Sequence, residues 1–532
     1  MMMNEWWRGG VIYQIYPRSY CDSNNDGVGD LPGVLSKLVH VARLGVDGVW
    51  LSPFFKSPMR DFGYDVSDYC DVDPIFGSLA DFDALMKRAH DLSLRIVIDQ
   101  VYSHTSDQIG WFRESRRSKR NEKSDWYVWA DAKADGTPPN NWLSVFGGPA
   151  WSWDALRRQY YLHNFLAEQP DLNFHNPDVR AAILEVAKFW LERGVDGFRL
   201  DVANLYYCDR LLRDNPAKRA EGGFARPYQH QRHLHDRSQA ENLDFVAELR
   251  RLVDRYQDRM TVAEIFSDAP IERSVEYTQA GRLHTAYNFL FLESRELTAA
   301  LVRRAFESWT SETAWPSWSF SNHDVVRART RWGGADAPDA FAQLLTGLLM
   351  CLRGTIFLYQ GDELGLPQAH VPFEKLKDPE GIRFWPDNLG RDGCRTPMPW
   401  RADAANAGFS DTEPWLPMAA AHASLSVDRQ EKNPQSTLNK TRGFIKFRRA
   451  HAALRLGDIR FLDADEPILA FTRAHGDEKL VCVFNLGAAP AAFKLPSGGG
   501  AGAGASLAYG LAGEIVNGEA RLPPYGGVIA RL

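Results

Sequence analysis

At 532 residues the chain is longer than one hydrophobic core usually sustains, so two or three domains are expected. Its 44% hydrophobic and 24% charged residues are ordinary for a globular protein, and a net charge of −6 gathers neither nucleic acid nor an anionic membrane. No run approaches the length of an apolar membrane span, and MMMNEWWRGGVIYQ lacks the basic and apolar regions of a secretory leader.

In chain order, short apolar runs end in polar or charged residues: VIYQIYPRSY from Val11, VDGVWLSPFF from Val46, LRIVIDQV from Leu94 and VDGFRLDV from Val195. MTVAEI from Met260, WSFSNHD from Trp318 and TIFLYQGDEL from Thr355 continue the series. Helix-like stretches stand between them, including LADFDALMKRAHDLS from Leu79 and PDVRAAILEVAKFWLERG from Pro177. Strands apolar on both faces that alternate with helices predict a parallel sheet. About eight such units in roughly 450 residues suit an α/β chain folded as a (β/α)8 TIM barrel. A doubly wound sheet is the rival, but no GxGxxG loop follows the first strand.

The alternation lapses between Thr105 and Pro170, where DGTPPNNWLSVFGGPAWSWD is rich in Trp, Asn, Gly and Pro. A B subdomain at 105–170, inserted after the third strand, would divide the barrel into 1–104 and 171–457. From residue 458 the runs ILAFTRA, KLVCVFNL, AAFKLP and GGVIARL, with the flexible SGGGAGAGAS among them, predict a C-terminal antiparallel β-sandwich at 458–532. Six scattered cysteines without a CxxC pair argue against a zinc site and suit a reducing, cytoplasmic setting. Many of the 17 Trp fall in irregular polar stretches, as Trp142 and Trp151 do, where they either pack or stack against sugar faces.

In such a barrel the chemistry gathers where strands end. The charged residues closing the runs are Asp99 with His104, Arg199 with Asp201, Glu264, and His323 with Asp324. One aspartate after a strand is commonly a helix cap. Three acids on three strand ends, with arginine and histidine among them, are much harder to explain structurally.

DQVYSH (Asp99–His104), GFRLD (Gly197–Asp201), AEI around Glu264 and SNHD (Ser321–Asp324) resemble, in order and spacing, four motifs of the α-amylase family, glycoside hydrolase family 13. QPDLN (Gln169–Asn173) resembles a fifth, in the form of its oligo-1,6-glucosidase and α-glucosidase branch. The resemblance covers essentially the whole chain and implies a retaining exo-acting α-glucosidase for short α-glucosides, with transglucosylation as a companion activity. It implies Asp201 as nucleophile, Glu264 as general acid/base and Asp324 as the carboxylate that binds sugar hydroxyls. Arg199 would keep Asp201 ionised, while partial desolvation would keep Glu264 protonated. His104 and His323 would donate to sugar hydroxyls. Asp61 and Arg395 would clamp the terminal sugar over Tyr64, and Phe146 and Phe165 match apolar positions of that pocket.

The loop DSNNDGVGD spaces oxygens at Asp22, Asn24, Asp26, the Val28 carbonyl and Asp30, as a hard cation requires. An Asx-rich surface turn is the alternative. The resemblance implies a structural Ca2+ or Mg2+ there and no organic cofactor. Ser103 replaces the asparagine of many relatives. Val202 is the residue that accompanies α-1,6 preference, yet the segment from Tyr206 to Asn242 does not resemble the isomaltase sequence. Linkage preference stays open between maltose-type, α-1,6 and sucrose- or trehalose-type chemistry. Partners are expected to be small sugars, with neither nucleic acid nor membrane and a monomer or weak homodimer. A catalytically dead binding subunit is the rival of another class, and the intact carboxylates weigh against it.

Overall fold

The computed structural model describes residues 5–219, 226–309, 311, 313–496 and 505–532. Eight parallel strands form its centre: β1 (Val11–Ile15), β2 (Gly48–Leu51), β3 (Arg95–Gln100), β4 (Gly197–Leu200), β5 (Met260–Ile265), β6 (Thr285–Asn288), β7 (Ser317–Trp318) and β8 (Thr355–Tyr359). They neighbour one another in chain order, and β1 pairs with β8. A parallel bridge between Ala286 and Pro316 joins β6 to the start of β7, so the sheet closes into a barrel rather than a doubly wound sheet. β6, TAYN, has no apolar run to announce it, whereas the two-residue β7 leads into the run WSFSNHD.

Local chemistry sets the outer helices. Ser78 and Asp81 form a reciprocal capping box at the start of Leu79–Asp91. Asn176 caps Pro177–Glu192, whose proline occupies a first-turn position that needs no amide donor. Strand side chains alternate, and one set fills the interior with Ile12, Trp50, Val97, Met260, Val262, Tyr287 and Phe357. Continued two residues along β3 and β5, that set reaches Asp99 and Glu264. The barrel core therefore aims the acids inward by parity alone.

After β3 the inserted region carries a three-stranded antiparallel sheet of Trp129–Ala130, Gln159–Leu162 and Trp151–Asp154. Trp142 and Trp151 are buried there with ring centroids 6.0 Å apart, so they pack this subdomain and face no sugar. From Asp458 the chain forms a five-stranded and a three-stranded antiparallel sheet over an apolar layer that includes Val481, Val483, Leu522 and Val528. The glycine-rich run at 497–504 lies outside the described residues. All six cysteines are free. No described helix is long and apolar enough to cross a membrane.

Candidate active site

Arg199, fully buried on β4, is the hub of the strand-end cluster. Its Nη1 lies 2.9 Å from Asp99 and 2.6 Å from Asp201, and its Nη2 lies 2.6 Å from Glu264. It also donates to the Tyr287 hydroxyl at 3.0 and 2.7 Å, and Tyr287 passes a hydrogen bond on to Glu264 at 3.1 Å. The guanidinium sits 4.9 Å over the Trp50 ring, which closes the floor. Immediately after Asp201 the chain turns sharply, and Val202 has φ 34°, a strained value for a β-branched residue. That turn lets the Val202 amide donate to Glu264 at 3.1 Å.

The third acid has different partners. Asp324 accepts from Arg395 at 2.9 Å and lies 3.4 Å from Arg391 and 3.3 Å from His323. His323 is stacked on Tyr64, with rings 5.5 Å apart, and its Nε2 meets the Tyr64 hydroxyl at 2.5 Å. His104 is held by Ser103 at 2.8 Å and by the Tyr64 carbonyl at 3.0 Å. Serine therefore supplies a hydrogen bond to this ring.

Arg395 is not the partner of Asp61, and this corrects the clamp expected from the sequence. Asp61 pairs with Arg391 at 2.8 Å, while Asp378 holds the same guanidinium at 2.8 Å. Gln169 donates to the other Asp61 oxygen at 3.2 Å. Arg395 is fully buried and positions the Asp324 carboxylate and the His323 carbonyl from behind. Both arginines lie in GRDGCRTP, four residues apart, and nothing in that string distinguishes them. Arg391, Asp378 and Tyr287 were not singled out from the sequence. Tyr287 stands on the unannounced four-residue β6.

A pocket of about 490 Å³ opens above the hub. Asp61, Tyr64, His104, Phe146, Phe165, Asp201, Glu264, Asp324 and Arg391 line it. Arg199, His323 and Arg395 support that lining from below. Phe146 lies 5.0 Å beneath the Arg391 guanidinium and 5.7 Å from Phe165. Val202, Phe266, Phe289, Leu292 and Val325 add an apolar wall to the same pocket.

Burial raises Glu264 to about 8; Arg199 opposes the rise, and the neighbouring Asp201 and Asp324 charges add to it. Burial likewise raises Asp201 to about 7, against Arg199. Two carboxyls on one guanidinium titrate as a pair, and the first proton to bind belongs on Glu264. Burial would raise Asp324 too, but His323, Arg395 and Arg391 outweigh it and hold that carboxyl far below the usual range. Burial lowers His323 to about 3 and His104 to about 4, so both rings are neutral at pH 7. The arrangement offers one protonated acid, one anion beside it and a third, permanently ionised carboxylate.

None of Asp22, Asn24, Asp26, Val28 or Asp30 lines this pocket. Asp22 accepts from the amides of Asn24, Asn25 and Gly27 and from the Ser410 hydroxyl. The Asn24 amide reaches Asp26 at 3.2 Å, and Asp26 accepts from the Val28 amide at 2.8 Å. Asp30 caps the helix Leu31–Leu44 through the Gly33 amide and holds Ser23 with its other oxygen. Among the described residues no three His, Cys, Asp or Glu side chains group as a metal site, so a cation here would also draw on Asn24 and a backbone carbonyl.

The model of the α-amylase catalytic domain matches residues 14–457. A probable α-glucosidase of Rhizobium meliloti (strain 1021) is 52% identical, covering 99% of this chain and 97% of its own. An oligo-1,6-glucosidase of Heyndrickxia coagulans is 36% identical over 93% of this chain and 94% of its own. A crystal structure described as an α-glucosyl transfer enzyme superposes with a TM-score of 0.96 at 52% identity, covering 99% of this chain and 100% of that one. The chain belongs to the α-amylase family.

Proposed function

We propose that this protein is a retaining, exo-acting α-glucosidase that hydrolyses short α-glucosides and also passes the glucosyl group to sugar hydroxyls. The observation that carries the reading is Asp201 and Glu264 held by one guanidinium, each 2.6 Å from it. Asp201 attacks the anomeric carbon while Glu264 gives its proton to the departing oxygen. Glu264, now a carboxylate, takes a proton from water or from an acceptor alcohol, whose oxygen displaces Asp201. Two inversions retain the α-configuration. Asp324, ionised throughout, accepts hydrogen bonds from ring hydroxyls. Asp61 and Arg391 close the deep end on the terminal sugar, which excludes an internal segment of a polymer. The similarity to an α-glucosyl transfer enzyme supports transfer beside hydrolysis.

Digestion of maltose, isomaltose, sucrose, maltotetraose and starch, followed by proton NMR, tests this reading. Disaccharides should yield α-glucose first, and starch should keep its viscosity. Release of β-glucose would mean inversion, with a water between more widely spaced carboxyls, and would overturn the roles of Asp201 and Glu264.

A structural divalent cation in the loop Asp22–Asp30 belongs to the same reading, supported by Asp22, Asn24 and Asp26 turned into one hydrogen-bonded knot. A cation bound only by the folded chain stabilises it by mass action, so Ca2+ or Mg2+ should raise the melting temperature of the chelator-treated protein. Asp22→Ala should abolish that rise and leave the turnover of the folded enzyme nearly intact. A cytoplasmic location is supported by six free thiols. A monomer or weak homodimer suits a site built entirely from one chain.

A further inference from the structure

Six carboxylates line the pocket, and five have partners within the chain: Asp61, Asp201, Glu264, Asp324 and Glu380. Glu380 is taken by Arg226 at 2.5 Å and by Asn388 at 2.6 Å. The sixth is Glu293, the last residue of the short helix Phe289–Glu293 that follows β6. It is the only lining carboxylate without a hydrogen bond or ion pair among the described residues. The same helix gives the lining Phe289 and Leu292. Glu293 is exposed while Asp61 and Arg391 are buried. The charges that reach it are Arg226, Arg237, Glu380 and Arg331, none of them in the clamp, so it stands outside the clamped end, on the side left for an aglycone. Arg295, two residues on, is exposed, lines the same pocket and also lacks a described hydrogen bond.

We infer that Glu293 is an acceptor-site residue, whose carboxylate takes hydrogen bonds from an acceptor carrying vicinal hydroxyls. A carboxylate is acceptor-only and a guanidinium donor-only, so Glu293 and Arg295 together complement a diol, which offers both. The apolar wall gives an alcohol with one hydroxyl no such contact, which makes Glu293 the group that discriminates. In the step it serves, the acceptor oxygen bonds to the anomeric carbon, the bond to Asp201 breaks and returns its carboxylate, and the acceptor proton passes to Glu264. The inference rests on the glucosidase reading and assigns a selectivity to it.

The test is partition of the glucosyl-enzyme. With p-nitrophenyl α-glucoside as donor, p-nitrophenol counts every glucosylation and free glucose counts those that end in water. Glycerol and 1-propanol serve as acceptors with and without vicinal hydroxyls. Glu293→Ala should lower the glycerol-to-propanol transfer ratio about tenfold, the worth of a hydrogen bond to a charged group. Glu293→Gln, of nearly the same volume, should lower it less but in the same direction, and it stands alone if the alanine variant does not fold. A ratio within about twofold of wild type in the folded variants would overturn the inference. Failure of the wild type to release p-nitrophenol would instead overturn the glucosidase reading.

Discussion

The barrel buries arginines at both ends and uses them in opposite ways. At the catalytic end Arg199 and Arg391 face carboxylates, and those acids outweigh the cost of burial and raise both guanidiniums above their ordinary range. At the other end Arg448 and Arg473 meet only carbonyl oxygens. Arg448 donates to Gly9, Met350, Leu352 and Gly354, and Arg473 to Cys351, Gly457 and Asp458. Burial pushes these two down to about 9 and about 10, and each is pushed further by neighbouring arginines. Both meet the carbonyl end of the helix Asp339–Cys351, and Arg473, through Cys351, also fastens the β-domain to the barrel. The same side chain organises reactive charge at one end and backbone dipoles at the other. Damage to the first should cost turnover, and damage to the second should cost stability.

The largest effect should come from Asp201→Asn. Without a nucleophile, kcat/KM should fall by about 10⁴-fold or more, while the melting temperature holds or rises, because burial disfavours the Asp201 charge and Arg199 keeps Asp99 as a partner. A variant that melts much earlier than wild type would make Asp201 structural and erase the contrast. Arg448→Met is the mirror experiment. Stranded carbonyls should cost about 3 kcal/mol in a denaturant titration, with kcat of the folded enzyme retained. Loss of turnover at unchanged stability would show that the two ends are not separable.

A smaller effect sharpens the catalytic end. Arg391→Lys keeps a charge but not the planar fork shared by Asp61 and Asp378, and should cost about tenfold in kcat/KM for maltose. Equal losses for Arg395→Lys and Arg391→Lys in KM alone would contradict the assignment of the clamp to Arg391 and of support to Arg395. The smallest effect is one of slope. Glu264 must be protonated and Asp201 ionised, so kcat/KM should fall above about pH 8 and below about pH 7. Each limb should approach about tenfold per pH unit. Glu264→Gln, assayed with p-nitrophenyl α-glucoside under single-turnover conditions, should lose the alkaline limb, because nitrophenolate leaves without a proton. Its persistence there would assign the limb to another group.

The barrel was legible because strands buried on both faces write themselves as apolar runs, and six of the eight, β1 to β5 and β8, have at least four residues inside such a run. β6 was not legible, and β7 showed only through WSFSNHD, the run that begins at its second residue. TAYN is no apolar run, and the place of β6 follows from neighbours that leave only one position in a closing ring. The cluster of strand-end acids around Arg199 was legible from motifs, and parity with the barrel core points Asp99 and Glu264 inward. Trp142 and Trp151 went the other way. Composition left sugar stacking open, and packing in the inserted subdomain closed it.

By itself the sequence determined the barrel, the identities of Asp201, Glu264 and Asp324 and the change to β-structure near residue 458, because each is written locally, in a run or a motif. Only the tertiary structure decided that Asp61 meets Arg391 and not Arg395, that Tyr287 couples Arg199 to Glu264, and that Glu293 has no hydrogen bond or ion pair among the described residues. Asp61 and Arg391 are 330 positions apart. Which of two arginines in one turn arrives there depends on how the whole barrel closes, and no local pattern encodes that.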